Sequence, residues 1–338
     1  MPITAPAPRF IGERRVEFVD REYADPGPGQ LLLRVRANAV CGSERGQYFD
    51  GSACIPGHEA AGEVIAAGPG TTTPEGTHGV VFLMDFCGRC RSCLLGATNQ
   101  CLGKRADMGF THDGGYGPYE LIHESVFFPV DEDIPFATAT MLLDVMGTSG
   151  HALDRAGLVH PDIESVYIAG AGPVGLGLLA MAKIRLPDRV PVYVSDLSPW
   201  RRDLAAELGG IAVDPTDGNA MAAIPPPDAA FDSTGKQAAR RAALDVLGKR
   251  GVLVCVGHGE GLVLDVSGDL ITPEHAILGS EYFRYDDLAG NLRLLREHRD
   301  LVGKVVTHTF PVGDITRGFE LFLSGETGKV VITQDGDA

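Results

Sequence analysis

Four cysteines fall close together in Cys87-Gly-Arg-Cys90-Arg-Ser-Cys93 and Cys101, a C-x2-C-x2-C-x7-C spacing. Four thiolates on one short loop match a closed tetrahedral zinc site, which staples a segment too polar to hold itself by packing. An iron–sulfur cluster is the rival for C-x2-C-x2-C, but a single cluster of that type usually takes its fourth cysteine from a different context. The Gly, Arg and Ser between the thiols argue against unligated core cysteines.

A second set is dispersed: Cys41 in Asn-Ala-Val-Cys-Gly-Ser-Glu, His58 and Glu59 in Pro-Gly-His-Glu, and Asp144 in Met-Leu-Leu-Asp-Val-Met. Taken singly, Cys41 reads as a buried small hydrophobe and His58 as a satisfied loop histidine. Asp144 is more telling, because an ionised carboxylate in an apolar helical run is costly unless a cation or good donors meet it; its bland reading is a helix-surface acid. One thiolate, one imidazole and one carboxylate around zinc leave a fourth position open, which is the layout of a catalytic site. The charges of Cys41, Asp144 and the ion cancel, so an anionic substrate oxygen can approach without large repulsion.

A third constellation fits a dinucleotide. Val166-Tyr-Ile-Ala-Gly-Ala-Gly-Pro-Val-Gly puts Gly170, Gly172 and Gly175 in G-x-G-x-x-G spacing between an apolar strand and a helix. The first glycine permits a tight turn, the second leaves room for a pyrophosphate, and the third lets helix and strand pack closely. Asp196 ends the following strand, where a carboxylate binds ribose hydroxyls and repels a 2′-phosphate, so NAD is the expected cofactor. Arg201 and Arg202 keep NADP open, although they also read as a solvated helix start. The expected cofactor-binding set is Gly170, Gly172, Pro173, Val174, Gly175, Asp196 and Arg201.

The elements that position these groups change character along the chain. Residues 1–130 read as β-rich, with short apolar or alternating runs at 31–35, 62–66, 79–83 and 119–122 between Gly, Pro, Asp and Thr turns. Helical patterning follows at 141–156. Strands at 165–169, 190–195, 211–213, 229–232, 251–256 and 276–281 then alternate with helices such as 200–208 and 237–247. That alternation predicts an α/β unit with a doubly wound, parallel six-stranded sheet. A length of 338 residues suits about two domains. The formal charge of −16 and the lack of a basic run exclude a phosphate-backbone binder. The apolar stretch 165–182 carries four glycines and a proline in its middle, which suits a strand, turn and helix better than a membrane span. The first residues show no apolar export segment, so a reducing cytoplasm is expected, with Cys54 and Cys255 as unligated thiols.

In these motifs the chain resembles the zinc-dependent medium-chain dehydrogenase/reductase superfamily, over nearly its whole length. The resemblance rests on Cys-Gly-Ser-Glu, Pro-Gly-His-Glu-Ala-Ala-Gly-Glu-Val, the four-cysteine lobe, Gly-Gly-Tyr-Gly-Pro-Tyr-Glu, the glycine turn and a closing Gly-Lys-Val-Val-Ile, in the family's order. Within it the polyol and threonine dehydrogenase branch is most similar. The resemblance implies a GroES-like catalytic domain at 1–148 with a zinc lobe at 85–103, a Rossmann domain at 149–283, and a segment 284–338 returning to the catalytic domain. It also implies a homodimer or homotetramer and two zinc ions per chain. Cys41, His58 and Asp144 match the catalytic zinc ligands, Glu59 the acid beside the metal, a fourth or transient ligand, and Ser43 the hydroxyl that takes the substrate proton. Two positions depart from the pattern: Gly46 stands where a relay histidine is common, and Glu44 where Asp is usual.

The expected chemistry is oxidation of a secondary alcohol of a polyol, sugar or cyclitol to a ketone. Zinc lowers the alcohol's pKa, Ser43 accepts the proton and hydride passes to the nicotinamide. The alternatives are L-threonine 3-dehydrogenase, a simple secondary-alcohol dehydrogenase, and a non-catalytic NAD-binding redox sensor that would need no open metal site. Tyr48, Glu281 and Arg284 are polar groups that could line the cleft, and each reads equally as a surface residue.

Overall fold

The computed structural model describes residues 2–334. Strands β1 (Ile3–Gly12) and β2 (Arg15–Tyr23) pair antiparallel through a turn in which Glu13 and Arg14 both take positive φ, 53° and 62°. Strand β3 (Gln30–Ala39) is the spine of the next sheet, with Leu31, Leu33 and Val35 fully buried. It pairs antiparallel with β4 (Ala60–Ala67), beyond which lies β5 (His78–Val81).

The pairing of β3 with β4 is what brings two distant motifs together. Asn38 stands opposite Ala60, and the Ala39 amide donates to the Glu59 carbonyl at 3.2 Å. Cys41 follows the end of one strand while His58 and Glu59 precede the start of the other, so all three reach the same end of the sheet. Strands β6 (Met84–Asp85) and β7 (Ala106–Asp107) pair to close the neck of the cysteine loop. Strands β8 (Tyr119–His123) and β9 (Phe127–Pro129) complete this part, on β3 and β5 respectively.

The second sheet is wholly parallel. Strands β10 (Val166–Ala169), β11 (Val192–Ser195), β12 (Ile211–Val213), β13 (Ala229–Asp232), β14 (Val252–Cys255) and β15 (Ala276–Gly279) run in the order β12-β11-β10-β13-β14-β15. This is the doubly wound order whose reversal at β10 opens a crevice at the strands' carboxyl ends. The expected six strands are present. The one expected at 276–281 stops at Gly279, before Glu281. Chain order then returns to the first sheet: β16 (Val306–Pro311) lies beside β17 (Lys329–Thr333), which pairs antiparallel with β3, Val331 opposite Ala39.

The helix expected over 141–156 is not one helix. A 3₁₀ turn, Thr140–Leu142, ends at Leu143 (φ −80°, ψ −110°), a π turn follows at Asp144–Thr148, and only Ser149–Gly157 is α-helical. The π turn packs on helix Pro173–Arg185 at Gly177, where a Cβ would overlap the Val145 carbonyl oxygen. The extra residue of a π turn swings side chains off the α-helical stripe, a device common at functional sites.

Candidate active site

Cys41, His58, Glu59 and Asp144 are all buried, and their ligand atoms lie within 4.8 Å of one another. Cys41 Sγ is 3.2 Å from Asp144 Oδ2, and His58 Nε2 is 3.3 Å from the same oxygen. The imidazole is oriented from behind. His58 Nδ1 lies 2.7 Å from Glu44 Oε1, and the other oxygen of Glu44 accepts from Tyr116 Oη at 2.6 Å. A carboxylate only accepts, so Nδ1 carries a proton, and Nε2 is the nitrogen turned to the cluster, where a metal would take the place of a proton shared with Asp144. Glu44, fully buried, also receives the Cys41 and His58 amides at 3.4 and 3.2 Å. The extra methylene relative to Asp thus places the carboxylate under His58, far from solvent.

On the opposite side, wholly buried Lys329 pairs with wholly buried Glu59. Burial pushes the Glu59 carboxyl up to about 8 although Lys329 pulls it down. Glu59 Oε2 is buried with no hydrogen-bond partner. For Asp144, burial raises the pKa, but His58, Lys329 and the Thr148 hydroxyl, which donates at 2.8 Å, more than offset it and hold the carboxyl below the usual range. Burial and the Asp144 charge raise the Cys41 thiol. One sulfur, one imidazole nitrogen turned to the cluster, the Asp144 carboxylate and the unpaired oxygen of Glu59 form a donor set that suits zinc.

The four lobe thiols form the second cluster. Cys90 Sγ is 3.5 Å from Cys93 Sγ and 3.9 Å from Cys101 Sγ. Sulfurs about 2.3 Å from a tetrahedral centre lie about 3.8 Å apart, so these separations fit a zinc tetrahedron. Backbone amides of Cys90 and Leu102 point at the Cys87 and Cys90 sulfurs at 3.4 and 3.3 Å. Amide donors bring Cys90 down to about 6, favouring the thiolate that a metal needs.

At the glycine turn, Gly170 has φ +96°, and a Cβ on Gly175 would overlap the Gly170 carbonyl oxygen. A Cβ on Gly172 would meet only Arg201 Nη1, at 3.8 Å, which leaves a cradle of phosphate size above the helix N-terminus, where Pro173 and Val174 begin the first turn. Asp196 accepts from the Ala171 and Ser198 amides, both at 2.8 Å, so it also braces the turn. Arg201 Nε donates to the Thr327 carbonyl at 3.0 Å, while Arg202 is committed to Asp196 O, Leu197 O and Asp214. The two sites are physically joined. Ser149, on the helix after Asp144, donates to the Val174 carbonyl at 3.1 Å and packs under Gly177.

Ser43 is exposed, two residues past Cys41, and has no hydrogen-bond partner among the described residues; Gly46 is exposed as well. Tyr48 does not face the cluster: it is fully buried in an aromatic group, with Oη donating to Glu320 at 2.8 Å. Arg284 is exposed and paired with Asp287, and Glu281 is exposed with only its carbonyl engaged, by Asn99 at 2.8 Å. Sequence reasoning did not assign Tyr116, Thr148, Lys329 or Tyr282 a place here. Of these, Tyr116 and Lys329 carried a signal, each lying within a motif quoted for the resemblance.

Comparison with known proteins places the chain in a family. Residues 27–132 match the alcohol dehydrogenase GroES-like domain, and residues 173–297 the zinc-binding dehydrogenase domain. L-galactonate-5-dehydrogenase of Escherichia coli (strain K12) is 28% identical over 91% of this chain and 92% of its own. L-threonine 3-dehydrogenase of Pyrococcus horikoshii is 29% identical over 93% of this chain and 94% of its own. Among solved structures, a cobalt- and zinc-bound thermostable alcohol dehydrogenase from Pyrobaculum aerophilum superposes with a TM-score of 0.83 at 27% identity, over 98% of this chain and 100% of that one. The chain belongs to the zinc-dependent medium-chain dehydrogenase family, oxidoreductases of the alcohol dehydrogenase type.

Proposed function

We propose that the protein oxidises a secondary alcohol of a polyol, sugar or cyclitol to the ketone, with NAD⁺ taking the hydride and one proton released. The observation that carries this is the union of an oriented Cys41–His58–Asp144 donor set with the glycine turn through Ser149 and Val174. A zinc ion held by Cys41, His58 and Asp144, with Glu59 as a fourth or transient ligand, supplies Lewis acidity that favours loss of the alcohol proton. Glu44 and Tyr116 keep the His58 lone pair aimed at the ion. Thr148 and Lys329 keep the Asp144 and Glu59 oxygens in place. Ser43 takes the substrate proton and passes it outward by its own exposure, with no histidine at Gly46 required. Cys87, Cys90, Cys93 and Cys101 hold a second, structural zinc.

The Asp196 carboxylate supports NAD over NADP, and a homodimer or homotetramer is proposed as the assembly. The relatives named L-threonine 3-dehydrogenase keep threonine as a second candidate substrate. Following NADH formation across polyols, inositols, aminocyclitols, simple secondary alcohols and threonine tests the proposal. Turnover of a polyol or sugar acid is expected, and turnover of threonine alone would replace it with the second reading.

A further inference from the structure

Tyr282 holds a backbone conformation that aromatic residues rarely adopt. Its φ is 46°, in the left-handed region where a Cβ crowds the backbone. Such strain persists only where the surroundings over-determine it, and it gathers at functional sites. The segment around Tyr282 is held at every neighbouring residue. Asn99 Nδ2 donates to the Glu281 carbonyl and the Tyr285 amide donates to Thr98 Oγ1, each at 2.8 Å, while Tyr285 Oη donates to the Phe127 carbonyl at 2.6 Å. Phe283 is fully buried, and its ring occupies the place a Cβ on Gly147 would need, inside the π turn that carries Asp144. Tyr282 itself is half-buried.

Its side chain packs against the main core, close enough to feel the charges of His58, Asp144, Asp107 and Cys41. Its hydroxyl makes no hydrogen bond among the described residues, and burial keeps it protonated, so it has a proton to donate. The other polar groups around the cluster are already engaged: Thr148 with Asp144, Glu44 with His58 and Tyr116, Lys329 with Glu59. Among the described residues, Tyr282 is left as a donor beside Ser43, which is assigned the reacting proton.

We propose that Tyr282 is a specificity-determining residue whose hydroxyl donates a hydrogen bond to the oxygen on the carbon next to the reacting carbinol, so that the site selects vicinal diols over monohydric secondary alcohols. This rests on the secondary-alcohol dehydrogenase reading above. The reacting oxygen is addressed by the metal-binding side chains, and a vicinal diol presents its second oxygen beside the first, where a donor from a separate segment can take it. A site built to hydrogen-bond a hydroxyl discriminates against the analogue that lacks it, because that hydrogen bond is then lost.

The test compares 2,3-butanediol with 2-butanol on the full-length, zinc-loaded protein, the readout being the ratio of the two kcat/KM values. Tyr282→Phe is expected to lower the diol-over-monool ratio about 10- to 1000-fold. The affinity of the NADH complex for the hydroxyketone product, read by NADH fluorescence, should weaken in parallel. Tyr282→Gly, which accepts a positive φ without strain, is expected to lose the same selectivity. An unchanged ratio in both variants, including equal losses on the two alcohols, overturns the proposal. A parent protein that oxidises neither these alcohols nor any polyol contradicts the underlying reading and removes this one with it.

Discussion

Lys329 and Glu59 form an ion pair in which both side chains are wholly excluded from solvent, one from β17 and the other from the loop before β4. The pair welds the end of the chain to the loop that carries His58. Removing one partner of a buried pair strands the other charge, so Lys329→Met is expected to destabilise the protein by about 3–5 kcal/mol in urea unfolding. Adding Glu59→Gln to that variant should recover part of the loss. A single variant with parental stability would contradict the role given to the pair.

Glu44→Gln removes the anion that fixes the Nδ1 proton of His58. Zinc affinity, measured by competition with a chelator, should fall about 10- to 100-fold. Tyr116→Phe, which loosens only one oxygen of Glu44, should give a smaller loss in the same assay.

Asp196, proposed above to favour NAD, also braces the Ala171 amide. Asp196→Ala is therefore expected to weaken NADH about 10- to 100-fold, the worth of one charge-assisted hydrogen bond, and NADPH clearly less. Equal losses for the two cofactors in fluorescence titrations would mean that the residue acts only through the turn.

Glu120 on β8 is buried, with neither carboxylate oxygen hydrogen-bonded. Burial first, and the charge of Asp113 second, hold its carboxyl well above the usual range. The unfolded chain ionises this group near pH ~4.3 while the folded one resists, so its contribution to stability is fully present below that pH and declines as pH rises toward the folded value. Glu120→Gln cannot ionise. Its unfolding midpoint should match the parent in acid and exceed it increasingly above pH ~4.3; a difference independent of pH would contradict the assignment.

The two metal clusters and the nucleotide turn were legible because their chemistry is carried by residue type. Cys87 to Cys101 and Gly170 to Gly175 are local patterns, and Asp144 stood out as a charge in an apolar run. What surrounds them was not legible, for physical reasons. A π turn differs from an α-helix by one residue, so the hydrophobic pattern over 141–156 did not reveal the break at Leu143. Lys329 was visible in its strand motif, but its partner lies 270 residues away, and such a pairing is decided by the packing of β17 on β3. Glu44 was marked as a departure, yet that it turns under His58 depends on Tyr116 from another strand-loop segment. Tyr48 illustrates the converse, a polar group expected near the cleft that aromatic packing draws into the core. Tyr282 carried no local signal, since its strain arises from contacts on both sides that no short window contains.

The central claim is that Cys41, His58 and Asp144 hold a zinc ion that the reaction requires, separate from the one in the cysteine lobe. The most direct test measures zinc per chain and NADH formation together in the parent and in Cys41→Ser. Two zinc ions in the parent, one in the variant, and loss of alcohol oxidation with NADH binding retained are the predicted results. A Cys41→Ser protein that keeps both its full zinc content and its activity would contradict the account.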